Sequence, residues 1–164
     1  MTEGQIILGW WSRNIGDRNS PAARGLAARL RRAGQVEVLG EGAVHELARD
    51  LGLKDAALLV RLVQVLAEVR GHTGPRLAQR LGFGDPPKLS TLRFQRLMRA
   101  GDELLDALRR ALVMAERGCN VAALGSDLLH WNEATRSRWC FDYFGAEAPA
   151  ALLADDDLNR EIPA

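Results

Sequence analysis

The chain has 164 residues, close to half of them apolar, with 22 basic and 21 acidic side chains and a formal net charge of +1, enough for one domain or two small halves packed together. No apolar run reaches the ~18 residues of a membrane span, and the opening "MTEGQIILGWWSRN" has an acid where a secretory leader is positive, so it reads as mature protein. Cys119 and Cys140 are too few and too far apart for a disulfide framework or a CxxC pair, which points to the cytoplasm.

Leu, Ala, Arg and Glu dominate and β-branched alternation is almost absent, so the chain is expected to be all-α, two small packed helical bundles with no sheet. Ile7, Trp10 and Trp11 share one face of a first helix. "NSPAARGLAARLRRAG" follows, with Ser20 as N-cap, Pro21 at the first helical position and Gly34 past the end. Gly40 and Gly42 mark a loop. Val44, Leu47, Ala48 and Leu51 make a short amphipathic helix. "AALLVRLVQVLAEV", Ala56 to Val69, is apolar except for Arg61, Gln64 and Glu68 on one stripe, the pattern of a central core helix closed by Gly71.

Thr73 and Pro75 open a short helix, "PRLAQRLG". "GFGDPPKL", Gly82 to Leu89, is the strongest break and divides the chain into halves at 1–82 and 83–146. Ser90 caps "TLRFQRLMRAG". Asp102 opens a helix that Gly118 closes, and Asn120 caps "VAALGSDLLHWN". A last helix, "EATRSRWCFDYFG", sets Arg136, Trp139, Cys140 and Tyr143 on one face. Residues 147–164 are expected to form an acidic, flexible tail.

The balanced total hides an asymmetry. The first 145 residues hold 21 basic and 16 acidic side chains, and the tail holds five acids against Arg160. A basic body suggests a polyanionic partner. From Arg13 to Arg32 there are six arginines and one acid, Asp17. On the helix after Ser20, Arg24, Arg31 and Arg32 lie opposite Leu26 and Leu30. On the helix after Ser90, Arg93, Arg96 and Arg99 fill an arc opposite Phe94, Leu97 and Met98. Neither helix contains an acid, and guanidinium groups at that density suit phosphate. Arg109 and Arg110 have Asp106 one turn before. Arg136 has Glu133 and Arg138 has Asp142 at helical spacing, so these two are expected on a solvated face.

Nothing in the sequence assembles an enzyme. No GxSxG, P-loop, GxGxxG or HExxH occurs. Cys119, His130 and Cys140 have no zinc-site spacing, Asp155, Asp156 and Asp157 read as solvating carboxylates, and the tryptophans sit at core spacing. No catalytic residue, metal site or cofactor is therefore expected. The alternative is a helix-turn-helix-like DNA-binding transcriptional regulator. Its first candidate recognition helix, Ala56 to Val69, is too apolar for a groove, and its second is joined by the long Gly82 to Leu89 connection.

From Gly9 to Gly145 the chain resembles the CasB family, the small subunit of the type I-E CRISPR surveillance complex, Cascade. The likeness lies in "WW" near the start, "RGLAARLRRA", "KLSTLRFQRLMRAGDELLDALRRAL", "DLLHW" and "RWCFDYF", in that order. It does not extend to the tail "ADDDLNREIPA". The resemblance implies an all-helical fold of two bundles and no catalysis. It implies paired copies within the complex, beside other Cascade subunits, binding guide RNA and target DNA through basic surfaces without sequence readout and holding the R-loop open. The basic positions it implies are Arg31, Arg32, Arg93, Arg99, Arg109 and Arg110. Arg24 and Arg96 come from the helical wheel alone.

Overall fold

The computed structural model describes residues 1–153, and the tail acids Asp155, Asp156, Asp157 and Glu161 lie outside that range. Eleven α-helices occur among the described residues. Those of the first half are α1 (Glu3–Trp11), α2 (Pro21–Arg32), α3 (Gln35–Leu39), α4 (Gly42–Leu51), α5 (Ala56–Glu68) and α6 (Leu77–Gly82). The second half adds α7 (Thr91–Met98), α8 (Leu104–Met114), α9 (Val121–Leu129), α10 (Glu133–Tyr143) and α11 (Ala150–Leu153). A π-helical turn, Ser12–Gly16, joins α1 towards α2, and a 3-10 turn, Gly101–Glu103, leads into α8.

Short polar side chains set most of the helix starts. Thr2 caps α1 in a reciprocal box with Gln5, and Ser20, Asp55, Ser90, Asn120 and Asn132 each accept a backbone N–H at the start of α2, α5, α7, α9 and α10. Each such cap is worth about 1 kcal/mol over alanine. Ser20, Ser90 and Asn120 take the capping roles expected of them, and the first two thereby fix the phase in which α2 and α7 present their arginines.

Helix α5 is the centre. Nine of its residues are buried, Gln64 and Glu68 among them. Helices α2, α8 and α9 pack on it, α1 packs on α9, and α6 packs on α10. One hydrophobic core runs from Ile7 and Trp10 through Leu62 and Leu66 to Leu108, Leu124, Trp139 and Tyr143, on both sides of the Gly82 to Leu89 break. Two glycines permit close helix contacts. A Cβ on Gly82 would stand 1.8 Å from the Tyr143 carbonyl oxygen, and one on Gly125 would stand 2.6 Å from Ile7 Cγ2. The indoles of Trp10 and Trp11 are buried and donate to the carbonyls of Ala43 (2.8 Å) and Val69 (3.3 Å), the core role expected from their spacing.

The structure adds detail the sequence does not announce. Gly71–His72 pairs in parallel with Gly118–Cys119, a two-residue bridge where no sheet is expected. Helix α3 fills a stretch without a predicted element. Helix α8 ends before Gly118 because Glu116 and Arg117 take left-handed backbone angles, φ 57° and 58°. No helix among the described residues is long and apolar enough to cross a membrane.

Candidate nucleic-acid interface

On α2, Leu26, Ala27 and Leu30 are buried and turn the opposite face outward. Arg24 and Arg32 are exposed there, with Arg24 Nη1 donating to the Arg18 carbonyl at 3.2 Å. Arg31 is half-buried, and its Nε is buried without a hydrogen-bond partner. Arg29, on the same helix, differs: it grips Glu41 at 2.6 Å from outside the helix, and that hydrogen bond raises its pKa above the ordinary guanidinium value.

On α7, Phe94, Leu97 and Met98 are buried, and Arg93, Arg96 and Arg99 are all exposed. Helix α8 packs beside α7 and brings Arg110 to the same place. These four arginines line one groove of about 710 Å³ between the two helices, in which Glu103 is the single acid among the described residues. No hydrogen bond or ion pair ties any of the four guanidinium groups to another described residue. Arg93 to Arg99 spans about 9 Å of helix axis, matching the axial rise of two to three nucleotides of one strand of a duplex. The larger groove beside it, about 1110 Å³ between α6 and α10, is mixed in charge: Arg80 and Lys88 face it together with Asp142 and Glu147.

Arg109 has a different environment from its neighbour Arg110. Its Nε lies 3.2 Å from Glu68, its Nη1 3.6 Å from Asp106, and its Nη2 donates to the Arg31 carbonyl at 2.7 Å. It therefore ties the end of α2 to α5 and α8. Gln64 assists by donating to the carbonyls of Leu30 (3.1 Å) and Ala33 (3.0 Å), so the C-terminal carbonyls of α2 are satisfied. The eight arginines thus fall into an α2 group, an α7–α8 groove group and Arg109 at the junction.

The solvated face expected for Arg136 and Arg138 is corrected. Arg138 is 1% exposed, and its two terminal nitrogens hold both oxygens of Asp127, itself 2% exposed. The Trp139 indole donates to the same carboxylate at 2.8 Å. The partner is on α9, not on the helix that carries Arg138, so a scan for acids one turn away misses it. Arg136 Nη1 donates to the Met98 carbonyl at 3.2 Å, joining α10 to the end of α7. Glu68 is the other group that spacing leaves unread; a buried carboxylate in an apolar helix is the signal, because such a charge must be paired. It takes Arg109 and also Arg117, at 2.7 Å.

Cys119 is buried, which pushes its thiol up to about 12, and Cys140 is raised by burial in the same direction. His130 bonds Glu3 at 2.7 Å, and no group of three His, Cys, Asp or Glu side chains suited to a metal occurs among the described residues.

No curated protein and no solved structure gives a match to this chain. The family model described as CRISPR-associated protein Cse2 matches residues 26–144, a span that holds α7, α8, the groove between them and the Arg138–Asp127 pair. The chain belongs to that family, the Cse2 or CasB small subunit of the type I-E Cascade complex.

Proposed function

We propose that this Cascade subunit is a non-catalytic clamp that binds the phosphates of guide RNA and target DNA without reading sequence, and so stabilises the R-loop. The observation that carries it is the groove of Arg93, Arg96, Arg99 and Arg110, four exposed cations with no acid bound to them among the described residues. Arg24, Arg31 and Arg32 extend the basic surface on α2, and Arg109 holds α2 and α8 in place beside it. A guanidinium fork matches a phosphate in two hydrogen bonds, and no base edge is needed because the guide supplies the sequence. Opening the duplex is close to balanced in base-pair energy, so a few phosphate contacts can tip it. A second copy in the complex would double the length of strand held. A regulator's recognition helix does not fit α5, which buries nine residues.

The test is reconstitution. Cascade assembled with Arg93→Ala/Arg96→Ala/Arg99→Ala subunit is expected to form R-loops on supercoiled target at least tenfold more slowly than with wild type, at equal subunit occupancy. Equal rates would overturn the clamp. Purified subunit is expected to leave DNA and RNA intact with and without divalent metal; cleavage lost on changing one carboxylate would refute the non-catalytic reading.

A further inference from the structure

Charge on this chain falls into two opposed blocks. The first 145 residues hold 21 basic and 16 acidic side chains, and residues 147–164 hold Glu147, Asp155, Asp156, Asp157 and Glu161 against Arg160. The family match ends at residue 144, so the acidic block lies outside it. The α7–α8 groove presents Arg93, Arg96, Arg99 and Arg110 with no bonded acid among the described residues. An acidic segment tethered to a fold with a free cationic groove competes there with any other polyanion, because the tether keeps its local concentration high.

The place where the chain leaves the fold favours this groove. Gly145, Ala146 and Glu147 line the larger groove together with Lys88 and Thr91 at the start of α7. Leu89 and Arg93, from the same stretch, line the arginine groove. Helix α7 thus borders both grooves, and a helix is about 10–12 Å across. Helix α11 lies against α10 and ends at Leu153. Eleven residues follow, and they can span about 36 Å when extended. Asp155 to Glu161 alone can span about 20 Å, more than the ~9 Å of helix axis from Arg93 to Arg99.

The larger groove is the nearer surface, but its cations are engaged. Arg80 Nη2 donates to the Ala115 carbonyl at 2.9 Å, Lys88 bonds Glu116 at 3.1 Å, and Asp142 and Glu147 face the same space. Like charge there turns the acids of the segment away, and the unbonded guanidinium groups of α7 and α8 draw them in.

We propose that the acidic segment 154–164 docks in the α7–α8 groove of its own chain and holds it closed to nucleic acid until a strand displaces it. Asp155, Asp156 and Asp157 each carry one negative charge, as a backbone phosphate does, and stand in for three of them. The inference rests on the groove being a phosphate site and adds a contact that regulates it.

The test uses the full chain and a single-stranded DNA oligonucleotide of mixed sequence, at about 0.15 M salt, where exposed charges more than ~8 Å apart are screened. A segment that holds the groove nine-tenths of the time raises the apparent Kd about tenfold. Asp155→Asn/Asp156→Asn/Asp157→Asn is therefore expected to tighten binding about tenfold. In the Arg93→Ala/Arg96→Ala/Arg99→Ala background the same change is expected to shift binding by no more than about twofold, because the docking site is gone. Glu37→Gln/Glu46→Gln/Asp50→Asn removes three exposed acids on α3 and α4, away from the groove, and is also expected to stay within about twofold. Equal tightening in this control means that net charge alone acts, and overturns the docking. So does an unchanged affinity in the segment variant, or a tightening that persists in the arginine-deficient background. If the arginine substitutions by themselves leave wild-type affinity intact, the groove reading fails, and the docking with it.

Discussion

Arg138 on α10 and Arg96 on α7 have the same side chain and opposite fates. Arg138 is 1% exposed, locked to Asp127 and covered by Trp139. Arg96 is exposed on a groove, with no carboxylate among the described residues bound to it. What separates them is where the fold puts the nearest acid. The turn at Asn132 folds α10 back so that Arg138 meets Asp127 of α9, while α8 brings to α7 another arginine, Arg110. The first arrangement completes a core; the second leaves charge for a partner.

The contrast is broken most severely by deleting the buried cation. Arg138→Ala removes the cation that neutralises the buried Asp127 carboxylate and is expected to cost about 3–5 kcal/mol, which a melting curve reads directly. A double-mutant cycle with Asp127→Ala is expected to show coupling above about 1 kcal/mol, and additivity would mean that the two do not act as a pair. Trp139→Ala removes a buried ring and the indole donor to Asp127, about 3–5 kcal/mol. Trp131, only half-buried but packed edge-on against Trp139 at 4.9 Å, is expected to cost less. Gly82→Ala forces α6 off α10 at the Tyr143 carbonyl and is expected to cost about 1–3 kcal/mol in denaturant titration. Arg136→Ala removes the hydrogen bond to Met98 and is expected to cost about 1 kcal/mol. At the far end, Arg93→Ala/Arg96→Ala/Arg99→Ala is expected to move stability by no more than about 0.5 kcal/mol per site while weakening nucleic-acid binding.

The sequence is most legible where one local rule decides the outcome. Ser20, Ser90 and Asn120 announce helix starts, the stripe of α5 announces the core, and the acid-free arcs of α2 and α7 announce exposed arginines, all but the half-buried Arg31, because an exposed face needs only its own helix to define it. It is least legible where two distant segments meet. Spacing pairs Arg138 with Asp142, one turn away on the same helix, whereas Asp127 comes close only after the chain turns. Spacing likewise makes Arg109 a neighbour of Asp106, and the fold makes it the anchor of α2 to Glu68. The Gly71–Gly118 bridge and the left-handed residues Glu116 and Arg117 have no local signature, since tertiary contacts hold them.

The central claim, that the groove arginines are free for phosphate, is tested most directly by the salt dependence of binding. Affinities of wild type and of the Arg93→Ala/Arg96→Ala/Arg99→Ala protein are measured on two unrelated duplexes across a series of salt concentrations. The account expects equal affinity for the two sequences and a log–log slope that becomes shallower by about one unit for each phosphate no longer neutralised. A slope unchanged by the triple substitution, or a strong preference for one duplex, would contradict it.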